Sequence, residues 1–299
     1  MSYPVSTSIH LTFDATYTTP VGHQVERIAK AGFRYLDFNF LDLNRTVQSP
    51  FVGPDWERYV DEAGEAAAKN GAVFNQAHAP CYDGLRFPGM TDADVAVYQA
   101  RAIQGCAKLG IPWMVFHPIY GDGSLEECLA YNHAVLDPAF ELCKKYNVGM
   151  AIENTWITRV HCPLSVTENL ITLADSFQDE QVGICWDTGH GNVYGGTEEL
   201  KPLTNQYEQL MKVGKRLKAT HIHDNYGVDD NHVAPFEGLI NWADVMRALR
   251  DIGYQYSFTY EAHNAVRRIP AECTDLVDAK MAYMHRLGTE LVRWADQDI

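Results

Sequence analysis

Six ligand-type side chains stand where apolar, β-rich runs of the sequence give out: His78, His117, Glu153, Asp187, His221 and Glu261. Others trail them: Asn154 after Glu153, His190 three positions past Asp187, His223 and Asp224 past His221, and His263 past Glu261. One strand-end histidine alone reads as a hydrogen-bonded structural residue. Three carboxylates and several imidazoles meeting at one rim are different, because they shift one another's pKa values strongly unless a cation neutralises them. Glu153, Asp187, His221 and Glu261 come from four successive runs and offer three oxygen donors and one nitrogen. Such a set suits Mn2+ first, with Mg2+, Co2+ or Zn2+ as further candidates. His221 and His223 point to the same side of a strand, so parity leaves either as the nitrogen donor.

Eight short runs must carry these residues: 5–12, 35–40, 72–76, 113–117, 148–153, 182–187, 217–221 and 257–261. Helical spacing of apolar residues fills stretches between and after them, as at 55–69, 92–109, 125–146, 166–176, 241–251 and 271–295, with Thr91, Asp92 and Asp94 as capping residues of the second. Gly32, Gly71, Gly110 and Gly253 precede runs where a helix end needs a left-handed residue. Strict alternation of strand and helix implies parallel strands, whose two covered faces require nearly apolar interiors and leave polar residues for the strand ends. Eight such units close into one (β/α)8 TIM barrel spanning residues 1–299 as a single domain, with a doubly wound open sheet as the competing architecture.

The 299 residues are 46% hydrophobic, ample for a large core. A net charge of −15 opposes binding to nucleic acid or to an anionic membrane. No apolar run of about 18 residues exists, and the N-terminal Met1-Ser2-Tyr3-Pro4 does not read as a targeting segment. Seven cysteines, an odd number with no CxxC pair, fit a reducing, cytoplasmic compartment. Gly121-Asp122-Gly123-Ser124 ahead of a helix reads as a cap, with anion binding as the functional alternative.

In their order along the chain, His78-Ala79-Pro80, Phe116-His117-Pro118, Ile152-Glu153-Asn154, Trp186-Asp187-Thr188-Gly189-His190, His221-Ile222-His223-Asp224-Asn225, Asp230-Asn231-His232 and Tyr260-Glu261 resemble the xylose isomerase-like TIM barrel superfamily of sugar isomerases and epimerases and the endonuclease IV group. The resemblance implies that Glu153, Asp187, His221 and Glu261 are the metal ligands. His221 is preferred over His223 because the family pattern has an acid three residues after the ligand, where Asp224 stands. It also implies substrate contacts from His190, with His78, His117, His223 and Trp156 joining the substrate-binding set. In the endonuclease IV branch, His78, His117, His190, Asp230 and His232 match the further ligands of a three-zinc cluster. The sugar branch departs at one point: the ketohexose 3-epimerases carry an arginine after the strand-seven histidine, and Asp224-Asn225-Tyr226-Gly227 has none.

The activity so implied is metal-dependent isomerisation or epimerisation of a sugar, keto-sugar or polyol ketone, through removal of the proton next to a carbonyl. Glu153 and Glu261, on runs five and eight of a ring of eight, approach a substrate from different sides and double as proton-transfer groups. Tyr82, Tyr120, Trp156, Tyr226 and Phe236 are candidate walls for a sugar ring. A lyase or dehydratase acting on a keto-polyol or oxidised glycoside shares the same first step. A zinc-dependent abasic-site endonuclease and an inactive barrel serving as a partner subunit are the remaining alternatives. The expected partner is a small carbohydrate, with no nucleic acid and no membrane; a homo-oligomer is compatible with the sequence.

Overall fold

The structure is a computed structural model that describes residues 3–11, 19–82, 86–121, 123–156, 162–270 and 272–295. Eight strands, β1 (Val5–Ser8), β2 (Tyr35–Asn39), β3 (Val73–His78), β4 (Trp113–Phe116), β5 (Gly149–Glu153), β6 (Val182–Asp187), β7 (Leu217–His221) and β8 (Phe258–Tyr260), pair in parallel in the order β7-β6-β5-β4-β3-β2-β1-β8. A parallel bridge between Ile222 and Tyr260, with Ile222 N–H donating to Thr259 O at 2.8 Å, joins the two ends. The chain is a (β/α)8 TIM barrel. Outside the strands lie α1 (Val21–Lys30), α2 (Trp56–Lys69), α3 (Asp92–Leu109), α4 (Leu125–Tyr146), α5 (Thr167–Ser176), α6 (Gln206–Val213), α7 (Trp242–Asp251), the single turn α8 (Asn264–Arg267) and α9 (Thr274–Trp294).

Local signals account for many boundaries. Thr91 and Asp94 form a reciprocal capping box on α3, and Ser124 with Glu127 forms another on α4. Gly32, Gly71, Gly110 and Gly253 all have positive φ, as the turns into β2, β3, β4 and β8 require. The first run is shorter than its sequence reading: β1 stops at Ser8, and Thr12 lies outside the described residues, as do Ala271 at the expected start of α9 and Asp122 of the Gly-rich turn. The third run is longer, taking in His78. The last stops at Tyr260, leaving Glu261 just beyond the strand.

One expectation fails. The barrel interior is not uniformly apolar, because it carries two polar ladders beside a small apolar cluster of Val115, Ala151, Cys185 and Ala219. Gln76 Nε2 donates to Thr220 O at 3.2 Å and Thr259 Oγ1 donates to Gln76 Oε1 at 3.2 Å. Ser6 donates to Asn75 Oδ1 at 3.1 Å, and Asn75 donates to Ser257 Oγ. Burial of these groups is tolerable because each named donor finds an acceptor across the lumen. The larger apolar core is the layer between strands and helices, built from Phe33, Phe38, Phe40, Phe116, Trp186, Trp242, Phe258 and their neighbours.

Candidate metal centre

All eight strands run the same way, so their C-terminal ends share one rim. His78, Glu153, Asp187 and His221 are the last residues of β3, β5, β6 and β7, while His117 and Glu261 stand one residue beyond β4 and β8. Glu153, Asp187, His221 and Glu261 each offer one donor atom, and the four atoms lie within 4.8 Å of one another. His221 Nδ1 is 2.9 Å from Glu153 Oε1, 3.4 Å from Glu261 Oε2 and 3.9 Å from Asp187 Oδ2. His223, two residues along the same strand direction, turns its Nε2 to Asp187 at 3.0 Å. The strand itself thus separates the two imidazoles that parity left equivalent: His221 joins the four-donor group, and His223 braces a carboxylate within it.

Two further groups flank the centre. His78 Nε2 and His117 Nε2 lie 3.4 and 3.1 Å from Glu153 Oε2. On the other side, Asp230 Oδ2 is 2.7 Å from His232 Nε2 and 3.5 Å from His190 Nε2. The ring tautomers follow from the main chain, because a carbonyl only accepts. His78 Nδ1–H donates to Ala79 O at 2.9 Å, His190 Nδ1–H to Asn154 O at 2.9 Å and His232 Nδ1–H to Glu261 O at 2.8 Å. Each ring therefore directs Nε2 at a carboxylate. Such second-nitrogen bonds orient metal-binding histidines, and in a metal-free site they leave the facing carboxylates to be neutralised by protons.

The electrostatics agree. Burial alone would raise the Glu153 carboxyl, but His221 and His117 outweigh it and hold it well below the usual carboxylate range. Burial opposes ionisation of Asp187 as well, and His190 with His223 reverses that. Burial pulls His190 down, yet Asp187 and Asp230 push it up to about 10; His232, driven by Asp230 against burial, rises to about 9. Glu153 Oε2 is completely buried and has no hydrogen-bond partner. An orphaned carboxylate oxygen amid imidazole Nε2 atoms, next to an O3N donor group, fits a divalent cation in place of those protons.

Trp156 packs its indole edge-on to His190, with ring centroids 5.0 Å apart. Tyr82 and Tyr120 are half-buried, whereas Tyr226 and Phe236 are exposed. Asp224 does not reach the cluster. Its carboxylate accepts from Asn225 N, Phe236 N, Ile240 N and Trp242 Nε1 at 2.9 to 3.1 Å, which pins the loop after β7 that carries Asp230 and His232. Sequence reasoning missed Asp37, a completely buried acid of β2 whose Oδ1 lacks a partner and whose pKa burial raises to about 6. A lone acid within Tyr35-Leu36-Asp37-Phe38 was the available signal.

A closed parallel barrel with a buried His/Glu/Asp cluster at its C-terminal rim defines the class, the (β/α)8 TIM barrels. Within it, residues 25–292 match the family described as xylose isomerase-like TIM barrel, and the chain belongs to that family. It is 29% identical over 196 residues to the uncharacterized protein MJ1311 of Methanocaldococcus jannaschii, covering 62% of this chain and 64% of that protein, so it spans slightly less than two thirds of that relative's length. Identity is 25% over 232 residues to a probable endonuclease 4 of Methanoculleus marisnigri, covering 73% and 79% of the two chains. It is 34% over 108 residues to a D-psicose 3-epimerase of Enterocloster bolteae, covering 36% and 31%. A solved D-tagatose 3-epimerase-like protein superposes with a TM-score of 0.65 at 22% identity, over 96% of this chain and 99% of that one. Among the described residues no helix is long and apolar enough to cross a membrane.

Proposed function

We propose that this chain is a divalent-metal-dependent isomerase or epimerase acting on a sugar, keto-sugar or related polyol ketone, by moving a proton at the carbon next to the carbonyl. The observation that carries the reading is the convergence of Glu153 and Glu261, from β5 and the end of β8, on His221 Nδ1 at 2.9 and 3.4 Å. Glu153, Asp187, His221 and Glu261 would hold the ion, Mn2+ by the chemistry of an O3N set, and when bound it polarises a carbonyl and its neighbouring hydroxyl and so acidifies the hydrogen between them. The two glutamates take up and return that proton. With one on each side of the carbon they permit epimerisation, and with one alone acting they give isomerisation. His190, its Nδ1–H held by Asn154 O and its ring backed by the Trp156 edge, turns its Nε2–H from Asp230 to the substrate oxygen on which charge develops. His78, His117 and His223 complete the polar wall. The names of the epimerase relatives support a small carbohydrate as substrate.

The test is to strip the protein with chelator, restore Mn2+, and follow solvent deuterium entering the carbon next to the carbonyl across ketoses, polyol ketones and keto-acids. Metal-dependent exchange is expected, with epimer or isomer as product; an eliminated product would move the assignment to the lyase that shares this step. Failure of every such substrate to exchange would overturn the reading. A second reading, phosphodiester cleavage at abasic sites, draws on the His190–Asp230–His232 group and the endonuclease relative. The net charge of −15 weighs against it.

A further inference from the structure

A cavity of about 370 Å³ lies where the loops after β5 and β6 meet α5 and α6. That volume holds one or two rings and falls at the lower end of the range for small-molecule sites. Trp186, which lines it, belongs to the apolar layer between strands and helices, whereas the next residue of β6, Asp187, joins the four-donor centre. Successive side chains of a strand point to opposite faces, so the cavity is on the outer face of β6 and the metal donors are on the inner one. Asn154 and His190 also line the cavity, and these two residues hold Asp187. Asn154 Oδ1 accepts from Asp187 N at 2.6 Å, Asn154 Nδ2 donates to Asp187 O at 3.0 Å, and His190 N donates to Asp187 Oδ1 at 2.6 Å.

The lining suits a neutral ring that carries a hydroxyl. Leu164, Leu170 and the Trp186 indole are buried apolar walls. The indole is fixed by its Nε1–H, which donates to Gln206 Oε1 at 2.8 Å, and Gly191 keeps its edge clear, since a Cβ there would stand 2.7 Å from Cζ2. Charge at the lining is balanced: Lys212 Nζ lies 2.8 Å from Glu168 Oε1, and His190 faces Asp187 and Asp230. Ser165 and Thr204 have engaged their hydroxyls with Cys162 O and Lys201 O at 2.7 and 2.8 Å. Thr155 has not. It is 4% exposed, it lines the cavity, and its Oγ1 has no hydrogen-bond partner. A buried hydroxyl left so is destabilising, and a ligand hydroxyl would satisfy it.

We propose that this cavity is a second small-molecule site, distinct from the four-donor centre, which binds a neutral ring-sized alcohol of phenolic or alicyclic type through a hydrogen bond to Thr155 Oγ1. An ionic ligand would meet no unbalanced counter-charge, and a polyol would bury hydroxyls against Leu164 and Leu170 without partners. Val166 and Leu203, 39% and 50% exposed, carry the apolar lining out to solvent and give such a ring its way in. The inference does not depend on the reaction at the metal centre.

Amide NMR of the isotope-labelled protein titrated with phenol, and with toluene as the same ring lacking a hydroxyl, reads the site. Expected from phenol are saturable shifts confined to residues 154–155, 164–170, 186–191 and 203–212. Thr155→Val keeps the shape and removes the hydroxyl. It should weaken phenol about threefold to tenfold, leave toluene unchanged and, because it deletes an unpaired buried hydroxyl, not lower the Tm of the ligand-free protein. No saturable shift, shifts centred elsewhere, or phenol affinity unchanged in Thr155→Val overturns the proposal. Calorimetry with phenyl β-D-glucoside in the presence of Mn2+ tests whether the site is distinct. Affinity no higher than that of phenol is expected; a glucoside bound tenfold tighter would make the cavity an extension of the metal centre and overturn the claim of a separate site. These readouts are binding and stability, so they stand whether or not the substrate screen succeeds.

Discussion

At the scale of single residues, Glu153 and Glu261 carry the heaviest demand, because each is asked both to hold an ion and to move a proton. Glu→Gln retains an oxygen donor and removes the base. Each Gln variant is expected to lose turnover by about 10² to 10⁴, the usual share of general base catalysis, while metal content measured by mass spectrometry persists. Asp187→Ala, by contrast, should abolish binding at the four-donor site and leave the barrel's circular dichroism unchanged. Full occupancy in that variant would remove Asp187 from the ligand set. The imidazoles give a pH signature. His190 at about 10 and His232 at about 9 stand above the value of 6.5 expected when unfolded. The metal-free folded protein thus binds more protons than the unfolded chain between those limits. The stability this contributes is full below about pH 6.5 and is lost as pH rises through 9 to 10. The Tm of chelator-treated protein should therefore fall across that window, and the Mn2+-loaded protein should fall less, since the cation replaces the protons. A level Tm in chelator would contradict this account.

At the scale of elements, the loop after β7 is the part most exposed to design failure, since it sets Asp230 and His232 against His190 without strand or helix of its own. His232 has φ of 47° and Phe236 of 68°, left-handed conformations that non-glycine residues hold only where their surroundings impose them. Asp224 imposes them by accepting four hydrogen bonds from the loop and the start of α7. Asp224→Ala strands those buried donors and should cost at least about 3 kcal/mol in denaturant unfolding, with amide exchange rising first in residues 225–240. The turn after β6 has a tighter constraint: a Cβ at Gly189 would fall within the His223 ring. Gly189→Ala is expected to displace His223 from Asp187 and weaken metal binding, although φ of −69° at that residue poses no backbone obstacle. Unaltered metal affinity there would show that His223 is dispensable to the carboxylate it faces.

For the whole molecule, charge weighs between the two chemistries that one rim of donors could serve. A chain of net charge −15 repels a polyanion at distance, and phosphate contacts would have to be made by a few cations against that field. No incision of an abasic duplex is expected from the zinc-loaded protein at physiological salt. Efficient incision, lost in His232→Ala, would reassign the centre to phosphodiester hydrolysis. A small polyol ketone meets no such barrier, and closure of the barrel gathers the six ligand-type side chains of the strand ends at one rim.

Sequence alone determined the barrel, since strand and helix alternated eight times and capping residues such as Thr91 and glycines such as Gly110 marked the joints. It also determined the rim, because parallel strands place their last residues at one end and the ligand types stood there. Helices α1 and α6, of ten and eight residues, were not among the helical candidates, whereas α5 and α7, each of ten, were. The polar ladders of the lumen were equally illegible: Gln76 meets Thr220 across 144 positions of chain, and an alternation rule sees only neighbours. Which side of Glu153 faces His221 and which faces His78 and His117, and where Asp37 lies, were decided by closure of the ring alone. Those contacts join strands distant in sequence, and only the tertiary structure sets the distances at which their side chains meet.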